Sequence, residues 1–289
     1  MIEQYQVNVK QDVQAALFED LSPTPNAPYV SLNCLDDITA MLIDAKAQAQ
    51  ANIITREDIV VCGQAWAQEA FHQVDPELVL TWQVKDGDSV KASSTLLTIS
   101  GNARAILTAE RTALNFLQML SATATTTASY LKHLKGSNTK LLDTRKTIPR
   151  FRQAQKYAVA CGGGTNHRIG LFDAYLIKEN HIKACGSIRN AINQAKRLQS
   201  QKLVEVEVES LEELREAIAA GADIVMLDNF STELIQAAVT LNNHQCKLEV
   251  SGNITSERLK ELAKTGVDYV SSGAITKHIN AVDLSLLFI

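Results

Sequence analysis

Seven lysines and arginines lie close together between Asp143 and Ile182, in a chain whose net charge is -4. They are Arg145, Lys146, Arg150, Arg152, Lys156, Arg168 and Lys178, with His167 and His181 among them. The same stretch contains three consecutive glycines at residues 162–164, which a helix interior disfavours. Cations around a flexible glycine loop are typical of a site for a small, highly charged anion. A solvated basic surface interrupted by a loop is the alternative interpretation.

Charged or small polar residues also follow the short apolar runs in the second half of the chain, which are predicted strands. They are Asp143, Thr144, Arg145 and Lys146; Lys178; Asp228 and Asn229; Ser251, Gly252 and Asn253; and Ser272, Gly273 and Ala274. In parallel α/β proteins the active site lies at the C-terminal ends of the strands. The repetition of polar strand ends therefore favours a functional site at that edge over a chance surface pattern.

Glu207 lies inside a predicted strand, in the sequence LVEVEVES. A parallel strand that is buried on both faces should be almost entirely apolar. Glu205, Glu207 and Glu209 share one face of the strand, so we expect at least one of them to point into a polar cavity. The alternative is an edge strand with a solvated face.

The residue types at these positions suit particular ligands. Glycines within residues 251–253 and 272–274 let backbone N–H groups approach a phosphate. Glu207 and Asp228 offer hard oxygen ligands for Mg²⁺ or for ribose hydroxyls. The lysines and arginines can neutralise further phosphates or carboxylates. Together these groups predict a phosphorylated sugar donor that meets an acidic acceptor.

Helical segments alternate with the apolar runs from residue 139 onward. The predicted strands are residues 140–142, 174–177, 203–208, 223–227, 246–250 and 268–271. The predicted helices are residues 151–161, 187–199, 211–220, 232–241 and 256–264. This alternation predicts a parallel sheet with helical crossovers, and both a doubly wound open sheet and an α/β barrel fit it.

The first part of the chain mixes short strands with helices. The predicted helices are residues 1–21, 63–71, 103–121 and 122–134, and the predicted strands are residues 50–55, 78–84 and 91–100. Residues 22–28 are a predicted loop, because three prolines in six residues prevent regular structure. Asp86 and Gly87 predict a tight turn.

Composition excludes several classes of protein. With 289 residues, 46% hydrophobic content and a pI near 5.9, the chain is of ordinary globular composition and is not a general nucleic-acid binder. No apolar run approaches the ~20 residues of a membrane span, and the N-terminal residues predict no secretory signal. The five cysteines are widely spaced without a CxxC pair, which predicts reduced thiols in the cytoplasm and no zinc site.

The stretch DTRKTIPRFRQAQKYAVACGGGTNHRIGLFDAYLIKENHI resembles the core of the quinolinate phosphoribosyltransferase family. The likeness extends through AERTALNF, EVEVES, MLDN, VSGNIT and YVSSGAITKH, and so covers most of the chain. The resemblance implies an N-terminal α/β sandwich domain, residues 1–118 joined by residues 281–289. It also implies a C-terminal incomplete TIM-like α/β barrel, residues 119–280.

The family resemblance further implies an activity. Such an enzyme transfers a phosphoribosyl group from phosphoribosyl pyrophosphate to quinolinate, using Mg²⁺. It releases pyrophosphate and CO₂, and the product is nicotinate mononucleotide, a precursor of NAD. The resemblance also implies a homodimer in which an arginine of one subunit enters the active site of its partner.

Roles carry over to matching residues of this chain. Arg111 would reach the partner subunit's site. Arg145, His167 and Arg168 would bind the quinolinate carboxylates, and Lys146 and Lys178 would face the phosphates and the reacting centre. Glu207 and Asp228 would bind Mg²⁺ and the ribose hydroxyls. The remaining implied substrate-binding residues are Thr144 and the 5′-phosphate cradle of Ser251, Gly252, Asn253, Ser272, Gly273 and Ala274.

Two positions depart from the family pattern without changing a charged residue. Asp36 stands where the family usually has glycine, and Asn253 replaces a common second glycine. Two alternative functions stay open at this point: a phosphoribosyltransferase of the same fold with a different acceptor, and a non-catalytic anion-binding protein. The two arginine-containing groups favour an acceptor with two carboxylates over one with a single carboxylate.

Overall fold

The computed structural model of the chain describes residues 8–22, 37–252 and 254–289. Two compact units make up the chain. The first unit contains Met1–Thr126, Gln153–Gly162 and Ile279–Ile289, and the second contains Thr127–Arg152 and Gly163–His278. Residues 119–126 and 153–162, which the sequence analysis assigns to the barrel domain, are grouped with the first unit.

An antiparallel sheet with the strand order β12-β1-β5-β3 forms the framework of the first unit. Its strands are β1 (Gln48–Thr55), β3 (Val79–Trp82), β5 (Thr95–Asn102) and β12 (Leu284–Phe288). A second antiparallel pair joins β2 (Ile59–Val60) and β4 (Ser89–Val90). Ala51, Ile53 and Thr55 of β1 are buried in alternation with more exposed residues, as expected for a sheet that buries one face.

Four α-helices lie between Val9 and Cys161 in the part of the chain that the structure describes. They are α1 (Val9–Leu21), α2 (Gln64–Val74), α3 (Ala103–Leu131) and α4 (Arg152–Cys161). Short 3₁₀ helices span Ala40–Leu42 and Lys132–Leu134. The predicted loop at residues 22–28 lies, from residue 23 onward, outside the described residues, as does the first part of the predicted helix 1–21.

The prediction of two helices between residues 103 and 134 was wrong, because α3 continues through the threonine-rich segment. The Thr123 hydroxyl donates to the Met119 carbonyl at 3.2 Å, one turn earlier in the helix. The Thr125 hydroxyl instead accepts from the Val60 N–H at 2.8 Å. The threonine hydroxyls therefore find partners without interrupting the helix, and their low helix propensity is overridden by packing.

A parallel sheet with the strand order β6-β11-β10-β9-β8-β7 forms the centre of the second unit. Its strands are β6 (Lys140–Leu142), β7 (Tyr175–Ile177), β8 (Val204–Val208), β9 (Ile224–Asp228), β10 (Lys247–Ser251) and β11 (Tyr269–Ser271). Strands β7 to β11 neighbour one another in chain order, which is the order of an α/β barrel and not of a doubly wound sheet.

The barrel is incomplete between β6 and β7, the two edge strands of this sheet. At that gap the described residues show only an isolated bridge between Leu142 and Thr165. The predicted fold class, an open TIM-like barrel after an α/β domain, is therefore confirmed.

Six described α-helices alternate with the strands of the second unit, and four of them begin at a serine or threonine cap. They are α5 (Glu179–Cys185), α6 (Ile188–Leu198), α7 (Leu211–Ala219), α8 (Thr232–Asn242), α9 (Ser256–Leu262) and α10 (Ala274–Lys277). Ser187, Ser210, Ser231 and Thr255 each accept a bond from the backbone N–H three residues later. Among the described residues, no helix combines the length and the apolar character needed to cross a bilayer.

Candidate active site

One cavity of about 370 Å³ opens at the C-terminal ends of the barrel strands in the second unit. It brings together many residues selected from the sequence: Thr144, Arg145, Lys146, His167, Arg168, Lys178, Glu207, Asp228, Ser251 and Gly252. Leu176, Met226, Glu249 and Ser271 complete the lining, and none of these four was selected from the sequence. The edge of the sheet that the sequence pattern favoured is therefore where the charged residues meet.

Two arginines, Arg145 and Arg168, line the cavity together. The Nε–H group of each is buried and, among the described residues, has no hydrogen-bond partner. One terminal nitrogen of Arg168 donates to the Ala174 carbonyl at 3.0 Å, which holds its guanidinium in place. Burial, followed by the charge of Arg145, lowers the pKa of Arg168. The two cations thus stand close enough to repel each other, and an anion between them would relieve that repulsion.

His167 is held firmly by buried carboxylates. Its backbone N–H donates to Oδ1 of Asp143 at 2.9 Å, and Asn166 donates to Oδ2 of the same residue at 2.6 Å. Asp143 is fully buried directly after β6, so it ties the chain that follows the glycine loop to the end of that strand. Acceptors with a full charge make such hydrogen bonds stronger than neutral ones.

The imidazole ring of His167 also has partners at both nitrogens. Nδ1 accepts from the backbone N–H of Arg168 at 2.8 Å, which leaves the proton on Nε2. Nε2 lies 2.9 Å from Oε2 of Glu205 and 3.6 Å from Oε2 of Glu249. His167 therefore connects the substrate cavity to the interior of the barrel, and its predicted contact with a quinolinate carboxylate stays a prediction.

Glu205 and Glu249 lie on β8 and β10, on either side of β9, and both are buried. Burial, and then the nearby charge of Glu205, raises the pKa of Glu249 to about 7. The neighbouring His167 opposes this shift by favouring the carboxylate. Strand β8 is interior to the sheet, so the alternative interpretation of an edge strand with a solvated face was wrong.

Glu249 is the buried charge that the sequence analysis missed. A usable signal existed, since it interrupts the apolar run Leu248-Glu249-Val250 just as Glu205 and Glu207 interrupt β8. What the sequence does not show is that residues from two non-adjacent strands meet at one histidine.

Lys178 and Glu207 form an ion pair in the cavity, with Nζ 2.5 Å from Oε2. Lys178 directly follows β7, and its backbone N–H donates to Nδ1 of His181 at 3.0 Å. Asp228, the last residue of β9, accepts from the Asn229 side chain at 2.9 Å. An adjoining cavity of about 500 Å³ shares Lys178, Glu207 and Asp228, so these three residues border a larger open space.

Lys146 is positioned through its backbone. Its N–H donates to the Thr144 hydroxyl at 3.0 Å, and its carbonyl accepts from the Thr276 hydroxyl at 2.8 Å. A Cβ atom at Gly273 would lie 2.7 Å from Cδ of Lys146, so a side chain at this position would displace the lysine side chain. Gly273 therefore affects the cavity through Lys146.

The other residues selected from the sequence either do not line this cavity or lie outside the described residues. Ser272, Gly273 and Ala274 follow β11. The structure describes all three, but they do not line the cavity. Arg111 is exposed on α3 in the first unit, and Asn253 lies outside the described residues. Of the seven cations between Asp143 and Ile182, Arg150 is exposed and Lys156 is completely buried, so the alternative of a solvated basic surface was wrong for Lys156.

The raised pKa of Glu249 makes stability depend on pH. The folded protein keeps this proton up to about pH 7, while the unfolded chain releases it near 4.5, so the folded state binds more protons in between. The free energy of unfolding therefore falls as pH rises through this window. A glutamine at position 249 does not titrate. We therefore expect the free energy of unfolding of Glu249→Gln to decrease less over this pH range than that of the wild type, by on the order of 1 to 3 kcal/mol.

Denaturant unfolding of the wild type and Glu249→Gln, at about pH 5 and about pH 8, measures the difference. Glu257→Gln, on the first turn of α9 outside the cavity, is the control for loss of one carboxylate. Parallel pH profiles for the wild type and Glu249→Gln would contradict a buried proton at this site.

Comparison with known proteins connects this geometry to a family. Residues 123–287 match the quinolinate phosphoribosyl transferase C-terminal domain, and residues 36–121 match the N-terminal domain. The chain is 39% identical to the probable nicotinate-nucleotide pyrophosphorylase (carboxylating) of Bacillus subtilis, covering 86% of this chain and 87% of the relative. It is 38% identical to the chloroplastic enzyme of that name from Arabidopsis thaliana, covering 96% and 82%.

Solved structures agree with these matches. The nicotinate-nucleotide pyrophosphorylase of Francisella tularensis superposes with a TM-score of 0.92 at 52% identity, covering 99% of this chain and 98% of that one. The corresponding protein of Ehrlichia chaffeensis superposes with a TM-score of 0.89 at 33% identity, covering 98% and 100%. Two domain matches in series, full-length relatives and a barrel edge lined with opposed charges lead to one conclusion. The chain belongs to the quinolinate phosphoribosyltransferase family.

Proposed function

We propose that this chain transfers the phosphoribosyl group of phosphoribosyl pyrophosphate to quinolinate and then decarboxylates the adduct. The products are nicotinate mononucleotide, pyrophosphate and CO₂, and the reaction feeds NAD biosynthesis. Membership of the family supports this proposal. The named relatives from Bacillus subtilis and Arabidopsis thaliana, whose names specify carboxylating nicotinate-nucleotide pyrophosphorylases, support it further.

One observation carries the choice of acceptor. Arg145 and Arg168 stand side by side in the cavity, each with a buried Nε–H that has no partner among the described residues. Guanidinium groups bind carboxylates through paired hydrogen bonds, and a pyridine with carboxylates on adjacent carbons presents two such groups in one plane. A dicarboxylate therefore satisfies both cations, while a monocarboxylate leaves one buried donor unsatisfied.

Glu207 and Asp228 fit the requirements of a Mg²⁺ site. Their carboxylates border the same two cavities, and carboxylate oxygens are the ligands that Mg²⁺ prefers. Lys178 already neutralises Glu207 through the 2.5 Å contact, so a divalent ion would bind as that contact rearranges. A bound Mg²⁺ would stabilise the negative charge of the pyrophosphate.

The reaction begins with attack of the quinolinate nitrogen on the anomeric carbon of the ribose. The bond from that carbon to pyrophosphate breaks, and its electron pair leaves with the oxygen. Lys146 and Lys178 face the cavity and stabilise the charge that grows on the leaving group. Because both lysines already border the cavity before the reaction, their charges lie near the group that departs.

Decarboxylation follows from the charge of the adduct. The new bond to nitrogen makes the pyridine ring cationic, so the carboxylate on the adjacent carbon can leave as CO₂. The electron pair that remains on that carbon is stabilised by the neighbouring ring cation and then takes up a proton. No covalent intermediate with the enzyme is required, and the chemistry uses no serine or cysteine nucleophile.

A homodimer is the second part of the proposal, with Arg111 entering the partner subunit's active site. Arg111 is exposed on the long helix α3, where its charged side chain can reach another molecule. Symmetric pairing makes both contributions equivalent, so each dimer would contain two completed sites.

Removal of either cavity lysine tests the catalytic proposal. Lys146→Ala and Lys178→Ala should each reduce turnover by roughly a hundredfold or more, because each removes a preorganised cation from the leaving group. The measurement is release of labelled CO₂ from quinolinate carrying the label in its 2-carboxylate, together with detection of nicotinate mononucleotide.

Lys264→Ala, at an exposed position after α9, is the matched control and should retain wild-type turnover. Nicotinate as the acceptor distinguishes the other phosphoribosyltransferase function, since it cannot release CO₂. The proposal fails if the wild type gives no product from quinolinate, or if both lysine variants turn over normally.

Mixed dimers test the role of Arg111. We expect Arg111→Ala and Lys178→Ala to be nearly inactive alone, and a mixture exchanged between subunits to recover about a quarter of wild-type sites. The recovered site combines an intact Lys178 with Arg111 of the partner subunit. No recovery after verified exchange would place Arg111 in its own subunit's site or outside catalysis.

A further inference from the structure

Two cysteines of the first unit lie in a cluster that the proposed reaction does not use. The Sγ atoms of Cys62 and Cys161 and a carboxylate oxygen of Asp86 all lie within 4.8 Å of one another. Cys62 follows β2 and is fully buried, whereas Cys161 is the last residue of α4 and is partly exposed. Cys161 is therefore the more exposed residue of the pair, and its thiol lies beside that of the buried Cys62.

The backbone on the Cys62 side is held in place. The Cys62 N–H donates to the Ser121 hydroxyl at 2.9 Å, and that hydroxyl donates back to the Cys62 carbonyl at 3.1 Å. Since a disulfide joins sulfurs about 2.0 Å apart, rotation of the two side chains must supply the remaining approach.

The surrounding groups favour reaction between the thiols over metal binding. Both oxygens of Asp86 are already engaged: Oδ2 accepts from the Tyr157 hydroxyl at 2.7 Å, and Oδ1 accepts from the Gln64 N–H at 3.2 Å. A structural zinc site takes about four ligands. Two thiols beside a committed carboxylate do not provide that set.

The two thiols differ in character. A hydrogen bond from Cys62 lowers the pKa of Cys161, against the effect of burial. Burial raises the pKa of Cys62. Cys161 thus forms a thiolate, the nucleophilic form, more readily than Cys62 does. Cys62 stays a protonated thiol until Cys161 has been oxidised.

We propose that Cys62 and Cys161 are a redox modification site, forming a reversible intramolecular disulfide when hydrogen peroxide reaches Cys161. The Cys161 thiolate attacks the outer oxygen of the peroxide, the O–O bond breaks, and Cys161 becomes a sulfenic acid while hydroxide leaves and is protonated to water. The Cys62 sulfur then attacks the Cys161 sulfur, hydroxide leaves and takes the Cys62 proton as water, and the disulfide remains.

A disulfide at Cys161 would restrain the glycine segment that follows this residue. Cys161 directly precedes the glycines at residues 162–164, which lead to His167 of the substrate cavity. A disulfide would fix the start of that segment to Cys62. The modification itself is independent of the proposed function and can be tested without an activity assay.

Peptide mapping of the full-length protein tests the proposal. The native protein is treated with hydrogen peroxide, alkylated under denaturing conditions and digested with trypsin. We expect a disulfide-linked pair made of residues 57–85 and 157–168, the tryptic peptides that contain the two cysteines. The pair should disappear after reduction with dithiothreitol.

Two variants sharpen the result. Cys62→Ala should abolish the linked pair and leave Cys161 as a sulfenic acid that dimedone traps, whereas Cys185→Ala, at an exposed cysteine, should leave the pair unchanged. The proposal is overturned if peroxide oxidises Cys185 while residues 57–85 and 157–168 stay unlinked. It is equally overturned if the purified protein holds stoichiometric zinc that Cys62→Ala releases.

Discussion

Buried carboxylates inside an otherwise apolar barrel are the constraint on which the site depends. Asp143, Glu205 and Glu249 are all removed from solvent, and each faces His167 or the chain beside it. Charges in such an environment are costly unless they are hydrogen-bonded or neutralised. A proton held by Glu249 and the hydrogen bonds from residues 166 and 167 reduce that cost, and in doing so they fix the loop that carries Arg168.

The same arrangement explains how opposite charges can share one small cavity. The buried acids lie in the barrel interior, while the arginines and lysines follow the strands and line the opening. Lys178 and Glu207 neutralise each other at 2.5 Å, whereas the Nε–H groups of Arg145 and Arg168 find no acceptor within residues 8–22, 37–252 and 254–289. The cavity thus has a nearly neutral part, to which we assign the proposed Mg²⁺ and phosphorylated donor, and a cationic part, to which we assign the proposed dicarboxylate.

Much of this architecture could be predicted from the sequence, for identifiable reasons. The parallel strands and helices follow from apolar runs and caps. Glu207 was recognisable because a charged residue is unexpected in a strand buried on both faces and therefore indicates a polar cavity. The continuity of α3 was not predictable, because Thr125 finds its partner at Val60, far away in the chain. Glu249 interrupts its strand in the same visible way as Glu207, but its meeting with Glu205 at His167 could not be predicted, because the two glutamates lie on non-adjacent strands.

The central claim is that paired arginines, supported by buried acids, select an acceptor with two adjacent carboxylates. Isothermal titration of the wild type with quinolinate and with nicotinate tests it most directly. We predict that quinolinate binds at least about tenfold more tightly, and that Arg145→Gln removes most of this preference. Equal affinities for the two acids, or an unchanged preference in Arg145→Gln, would contradict the account.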